Sequence, residues 1–178
     1  MLSQQFNQTI KKELWLQMGK PNISTVPVLK KVVINCRIPD ASTNKDSLEV
    51  ATKEISAITG QKATVASAKK SEANFKIRKG DPLALKVTLR GANMYDFIEK
   101  LFNIVLPRLR DFKGLKTSSF DGSGNFNMTI RDQTYFPEID LNKISQIRTI
   151  QITLVTSTSS QDRAKMLLSA LGFPFEKN

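Results

Sequence analysis

Apolar positions recur along this chain with two alternating periods, one helical and one extended. Near the start, Gln4 to Met18 carries the spacing of a helix, and Gly19 and Pro21 mark its stop. Lys30 to Ile38 then alternates as a strand. Val32, Ile34, Cys36 and Ile38 fall on one face, and Lys31, Val33, Asn35 and Arg37 on the other. A second helix is expected from Ser47 to Thr59. Asp46 is its expected N-cap with Glu49 three residues on, Leu48, Ala51, Ile55 and Ile58 its buried stripe, and Gly60 its C′ residue. Short strands are expected at Ala63 to Ala66 and Asn74 to Arg78, and a stronger one at Leu83 to Arg90.

The clearest helical stripe follows, formed by Met94, Phe97, Ile98, Leu101, Phe102 and Val105, with Pro107 ending or kinking it. From Arg108 to Ile147 the periodicity fades among Gly114, Gly122 and Gly124. That stretch is expected to be a long ordered excursion, and loops of such length in compact domains usually carry function. Thr149 to Thr156 alternates again, and Gln161 to Leu171 forms a last helix before Gly172 and Pro174. The order predicts a single α+β domain over residues 1–178. Its sheet is mainly antiparallel with helices on one face, an N-terminal helix occupies 1–25, and the excursion occupies 108–147.

Charge then changes the picture. Lys and Arg number 27 against 16 acids, a net +11, in a chain that is 40% hydrophobic. Such a balance favours polyanions, with nucleic acid ahead of anionic membrane. Residues 62–90 hold eight cations (Lys62, Lys69, Lys70, Lys76, Arg78, Lys79, Lys86, Arg90) against Glu72 and Asp81. Residues 105–116 hold Arg108, Arg110, Lys113 and Lys116 against Asp111. These two windows carry nine of the eleven net charges, a concentration better suited to a polyanion footprint than to general solubility.

Strand phase sharpens the expectation. If both stronger strands bury their apolar faces, Lys31, Asn35, Arg37, Lys86, Thr88 and Arg90 share the opposite one. That face is basic, rich in donors and poor in aromatics, so it suits phosphates, sugar hydroxyls and RNA shape. The competing reading is a solvated sheet face with ordinary Lys and Thr. Ser67 to Gly80 is expected to be a mobile basic loop or hairpin, with Lys76, Arg78 and Lys79 able to reach a second RNA; an ordinary charged hairpin is the competing reading.

Other chemistries find little support. The chain has no His, which removes Ser/His/Asp and Cys/His nucleophiles and His-based metal sites. Its one cysteine, Cys36, excludes an intramolecular disulfide and a multi-cysteine zinc site, and its place on a buried strand face suits a small core residue. No apolar run approaches the roughly 20 residues of a spanning helix. The segment from Met1 to Lys12 lacks the apolar core of a secretory signal, although its freedom from acids leaves an organellar-targeting reading open. A peripheral membrane protein needs a basic amphipathic helix, whereas Met94 to Val105 carries only Lys100 beside Asp96 and Glu99. Asp121 to Asn125 lacks the spacing of a calcium loop. A Mg²⁺-dependent RNA-processing enzyme using Asp121, Asp132, Glu138 or Asp140 is the alternative from another class, and it needs at least two of these carboxylates to converge.

The segments ITGQK (Ile58–Lys62), FKIRKGDP (Phe75–Pro82), KVTLRG (Lys86–Gly91), LPRLRDFKGL (Leu106–Leu115), SFDGSGNFNM (Ser119–Met128), FPEID (Phe136–Asp140) and LGFPF (Leu171–Phe175) carry a family resemblance. In register from Val26 to the C-terminus, the chain resembles the bacterial-type large-subunit ribosomal protein five family, which attaches 5S rRNA in the central protuberance. The resemblance implies a non-enzymatic protein without cofactor or metal. Lys31, Asn35, Lys86, Thr88 and Arg90 would receive 5S rRNA, with large-subunit rRNA a further partner. The loop of Lys76, Arg78 and Lys79 would approach P-site tRNA. Arg110, Asp111, Lys113 and Lys116 would meet a small-subunit head protein as an intersubunit bridge, with other central-protuberance proteins as neighbours and no membrane partner. The implied location is the cytoplasmic ribosome of a bacterium, or alternatively an organellar ribosome. Two departures stand out: Arg37-Ile38-Pro39 replaces a usual Gly-x-Gly turn, and Asn74 replaces a usual Gly. Residues 1–25 resemble the family least.

Overall fold

A computed structural model describes residues 2–19, 22–41, 44–110, 112–140, 144 and 146–176. Among them, nine elements organise the fold. Helix α1 joins Leu2–Gln5, a π turn at Phe6–Ile10, and Lys11–Met18. Then come β1 (Leu29–Arg37), α2 (Lys45–Thr59), β2 (Thr64–Ser67) and β3 (Pro82–Leu89). Helix α3 joins Gly91–Lys100, a π turn at Leu101–Val105, and Leu106–Arg108. Strands β4 (Phe126–Ile130) and β5 (Ile150–Thr156) precede α4 (Gln161–Ala170). The five strands form an antiparallel sheet in the order β2-β3-β1-β5-β4, so the class is α+β as expected.

The chain divides into two compact units, residues 1–32, 90–128 and 153–178 in one, and 33–89 and 129–152 in the other. In the first, Met94, Phe97, Ile98, Leu101, Val105 and Leu106 of α3 are buried, as are Ala164, Leu167 and Leu168 of α4. Phe6 of α1 sits 5.7 Å from the Tyr95 ring, and the backbone N–H of Leu2 donates to Glu99 Oε2 at 3.2 Å. A buried Phe or Leu contributes about 2 kcal/mol relative to exposure, so these stripes fix the helices more firmly than helical propensity does. In the second unit, Ala51, Ile55 and Ile58 of α2 are buried together with Leu85, Val87 and Leu89 of β3. Thr64 of β2 pairs with Lys86 of β3, and the register slips between Ala66 and Ser67, where Ser67 faces Pro82. Proline at the first position of a strand costs no ladder bond there.

Three expectations are corrected. Asn44, not Asp46, caps α2: its extended backbone lets its side-chain oxygen accept from Ser47 N at 3.2 Å. Asp46 instead lies in the first turn, where its charge favours the helix dipole. The strand at Asn74 to Arg78 does not form. Ala73–Phe75 is a 3-10 turn, Lys76 is left-handed at φ 53°, and a single bridge joins Glu72 to Ile77. Pro107, expected to end or kink its helix, stands one residue before the helix's last residue, Arg108. The N–H of Leu106 reaches back to Leu101, an i−5 bond that widens the turn ahead of the proline. Finally, the 108–147 stretch also supplies the edge strand β4, where Phe126, Met128 and Ile130 alternate with Asn127 and Thr129 over only five residues.

The first unit also straps this stretch to the chain end. Leu115 N donates to Pro174 O at 2.8 Å and Glu176 N to Leu115 O at 3.1 Å, while Phe120, Phe126, Phe173 and Phe175 cluster with ring centroids 5.0 to 6.4 Å apart.

Candidate nucleic-acid interface

Alternation decides which side chains this sheet shows to water. Along β1, Val32, Ile34 and Cys36 are fully buried while Asn35 and Arg37 are exposed and Lys31 is half-buried. Along β3, Leu85, Val87 and Leu89 are buried, Lys86 is exposed and Thr88 half-buried. In the second unit the open side therefore presents Asn35, Arg37, Lys86 and Thr88, joined by Thr64, which pairs with Lys86, and by the exposed Thr129 and Gln151. In the first unit Lys31 is half-buried, Arg90 is exposed, and the Thr153 hydroxyl donates to Asn127 Oδ1 at 2.7 Å. Among the described residues, Lys31, Lys86 and Arg90 have no ion-pair partner, so their charge is available to an outside anion. In each unit, taken by itself, the open-side residues named are polar or cationic, and none of them is aromatic.

A depression of about 560 Å³ lies in the second unit beside Asn35, Arg37, Gln146, Ile147, Thr149 and Gln151. Among its lining residues is one that charge counting alone does not single out. Arg148 is only 4% exposed, and its Nη1 donates to Glu54 Oε2 at 2.7 Å. The Gln133 side chain accepts from Arg148 N and donates to Gln146 O at 2.7 Å. That amide ties Gln146 and Arg148 together from both sides, and Ile147 between them has 66% of its surface exposed. Nothing in the spacing of Gln133 or Arg148 signals this role, because both look like ordinary surface residues in sequence.

The altered turn after β1 closes without glycine. Arg37 remains in the strand, Ile38 is buried with its N–H donating to Leu83 O at 3.0 Å, and Ala41 N donates to Ile38 O. Arg37 stays exposed at the rim of the depression.

The basic segment closes as a hairpin on its own hydrogen bonds. Glu72 and Ile77 exchange both backbone bonds, at 2.9 and 3.1 Å. Lys79 N donates to Ser71 Oγ at 2.9 Å, and Arg78 N to Asp81 Oδ2 at 2.8 Å. Lys76, Arg78 and Lys79 are all exposed. Of the expected bridge residues, Arg110, Lys113 and Lys116 are exposed, whereas Asp111 lies outside the described residues, as does Pro21.

Among the described residues, no group of three or more His, Cys, Asp or Glu side chains is placed to hold a metal. Asp121 is occupied locally: Oδ1 accepts from Ser123 N at 2.9 Å and Asn125 N at 2.7 Å, and Oδ2 accepts from Asn125 Nδ2 at 2.8 Å. The bonds from Asn125, with that from Ser123, hold its carboxyl below the usual range. No helix among the described residues is long and apolar enough to cross a membrane.

Two family models match in succession. Residues 22–78 match ribosomal protein L5, and residues 82–175 match the C-terminus of the same ribosomal family. Three full-length relatives, each named large ribosomal subunit protein uL5, come from Thermoanaerobacter sp. (strain X514), Caldanaerobacter subterraneus subsp. tengcongensis and Prochlorococcus marinus (strain NATL1A). They are 48%, 47% and 46% identical over 176 residues, spanning 99% of this chain and 98% of each relative. The similarity thus extends well into the N-terminal residues that the family motifs leave out.

Proposed function

This chain belongs to the ribosomal protein L5 family, and from that premise we propose that its open sheet face holds 5S rRNA in the central protuberance of the large ribosomal subunit. It is a structural, non-enzymatic ribosomal protein that acts in translation. The observation that carries the finer reading is Lys86. It stands exposed on β3 between buried Leu85 and Val87, without an ion-pair partner among the described residues, opposite a Thr in β2.

Such a face works without making or breaking a bond. Lys31, Lys86, Arg90 and Arg37 neutralise phosphates, while Asn35, Thr64 and Thr88 offer hydrogen bonds to sugar hydroxyls and groove edges. A sheet cannot enter the deep, narrow major groove of an RNA helix, so it reads the shape of the backbone and the shallow groove. Releasing counterions makes the binding strongly salt-dependent.

The Lys76, Arg78 and Lys79 hairpin is the part we assign to P-site tRNA, and Arg110, Lys113 and Lys116 are assigned to a protein of the small-subunit head. Both assignments rest on the family and on the exposure of these cations. Bacterial relatives support a place in the cytoplasmic ribosome of a bacterium. Titrating the full chain against purified 5S rRNA tests the main assignment. Binding that weakens steeply with salt and exceeds binding to an unrelated duplex is expected; equal, salt-insensitive binding to both would remove it.

A further inference from the structure

Phe75 is the only aromatic residue among the large, strongly exposed side chains of the described residues, with 70% of its surface in water. It sits at the tip of the basic hairpin between Glu72 and Ile77, next to Lys76. Leaving a Phe in water forfeits about 2 kcal/mol of burial, and holding a non-glycine residue left-handed costs about 1 kcal/mol more. Lys76 bears that conformational cost at φ 53°, ψ 34°, with its N–H bonded to Ala73 O at 3.0 Å. The turn is therefore held by its hydrogen bonds in a form that shows the ring outward.

The surroundings choose the partner. Lys69, Lys70, Lys76, Arg78 and Lys79 set five cations against Glu72 within eleven residues. The backbone amides of Arg78 and Lys79 are already satisfied by Asp81 and Ser71, so the loop keeps its shape without a ligand. An apolar protein groove would have to bring this crowd of cations out of water. An unpaired base flanked by phosphates accepts both features at once, since its π-face takes the ring and its phosphates take the ammonium and guanidinium groups.

We propose that Phe75 is a base-stacking residue, which the hairpin lays against an unpaired base of RNA while Lys76, Arg78 and Lys79 hold the adjoining phosphates. This rests on the RNA-binding reading of the hairpin but adds a contact that charge alone does not supply.

The full chain carrying Lys86→Ala and Arg90→Ala, to silence the sheet face, serves as the background for the test. The probes are a short RNA stem-loop with unpaired loop bases, the same stem-loop with abasic loop riboses, and the fully paired duplex. Phe75→Leu is expected to weaken stem-loop binding about 5- to 50-fold, and Phe75→Trp to retain it. The Leu variant's salt slope stays that of the background, because no charge is lost, and its abasic and duplex affinities do not change. Lys76→Ala with Lys79→Ala is expected instead to flatten the salt slope by about 1.4, at roughly 0.7 per phosphate. Equal stem-loop affinity for Phe75→Leu and its background, with the slope still sensitive to the lysines, would overturn stacking while leaving an RNA-binding hairpin. Indifference of binding to both sets of changes would overturn both, and would leave a protein surface as the partner. Since Phe75 is exposed, matching melting curves are expected to exclude misfolding as the cause.

Discussion

Arg148 and Glu54 meet at 2.7 Å with their side chains only 3% and 13% exposed, and Arg148 also lines the depression beside Asn35 and Arg37. The guanidinium also makes longer contacts to Gln146 O and to Ser47, while its Nε has no partner among the described residues. A buried pair is weak evidence of net stabilisation, but losing one partner strands the other. Glu54→Gln is therefore expected to cost about 3 kcal/mol, lowering Tm by roughly 6 to 12 °C for a chain of this size. A loss below about 1 kcal/mol by urea unfolding would mean that water reaches Arg148 after all.

Gly114 is required where the excursion meets the chain end. At φ +119°, a Cβ there would stand 2.7 Å from Glu176 N and 2.9 Å from its Cα, both backbone atoms that cannot swing away. Gly114→Ala should destabilise by about 1 to 3 kcal/mol and loosen the Leu115 strap. Gly122, with open space around it, is the control, and Gly122→Ala should stay within about 0.5 kcal/mol. Equal urea midpoints for the two variants would contradict the strap.

Burial pushes the Cys36 thiol up to about 11 from 9.0, against the lowering pull of Arg148. The folded chain therefore holds this proton more tightly than the unfolded chain does. The contribution is fully present below pH 9 and is lost as pH rises through 11, so stability falls across that window by at most about 1.4 kcal/mol per pH unit. The quantity to compare is unfolding free energy at about pH 8 and about pH 11 in the parent chain and in Cys36→Ala, so that every other group cancels. A smaller fall in the variant is expected; parallel curves would refute the assignment. In the same way, a thiol reagent at about pH 8 should label Cys36 only after unfolding.

Much of the fold is legible in the sequence because one physical signal dominates it. Where burial is one-sided, as at Val32, Ile34 and Cys36 or at Met94, Phe97, Ile98 and Leu101, the period of apolar residues shows the element and its buried face together. Asn44 escapes such a reading because several residues before α2 can cap, and only the local backbone decides among them. Asn74 to Arg78 alternates like a strand but has no neighbour to pair with beyond the single bridge at Glu72 and Ile77, and the left-handed Lys76 turns the chain back. Strand β4 alternates too, but its five residues follow Gly122 and Gly124 closely and are too short a run to stand out in an irregular stretch.

The site divides along the same line. Lys86 and Arg90 are legible as exposed cations because charge and strand phase agree on them. Gln133 and Arg148 are not, since a polar side chain spent on the backbone of a remote segment leaves no mark in local spacing. In sequence Phe75 is one more alternating apolar residue, and only its 70% exposure sets it apart.

Binding of 5S rRNA across a salt series, by the parent chain and by the Lys86→Ala, Arg90→Ala double variant, tests the central claim most directly. Each phosphate neutralised contributes about 0.7 to 0.9 to the slope of log affinity on log salt. The double variant should bind more weakly at every salt concentration, with a slope shallower by about 1.4 to 1.8 and unfolding unchanged. Identical affinity and slope in the two proteins would contradict an RNA-binding role for the open sheet face.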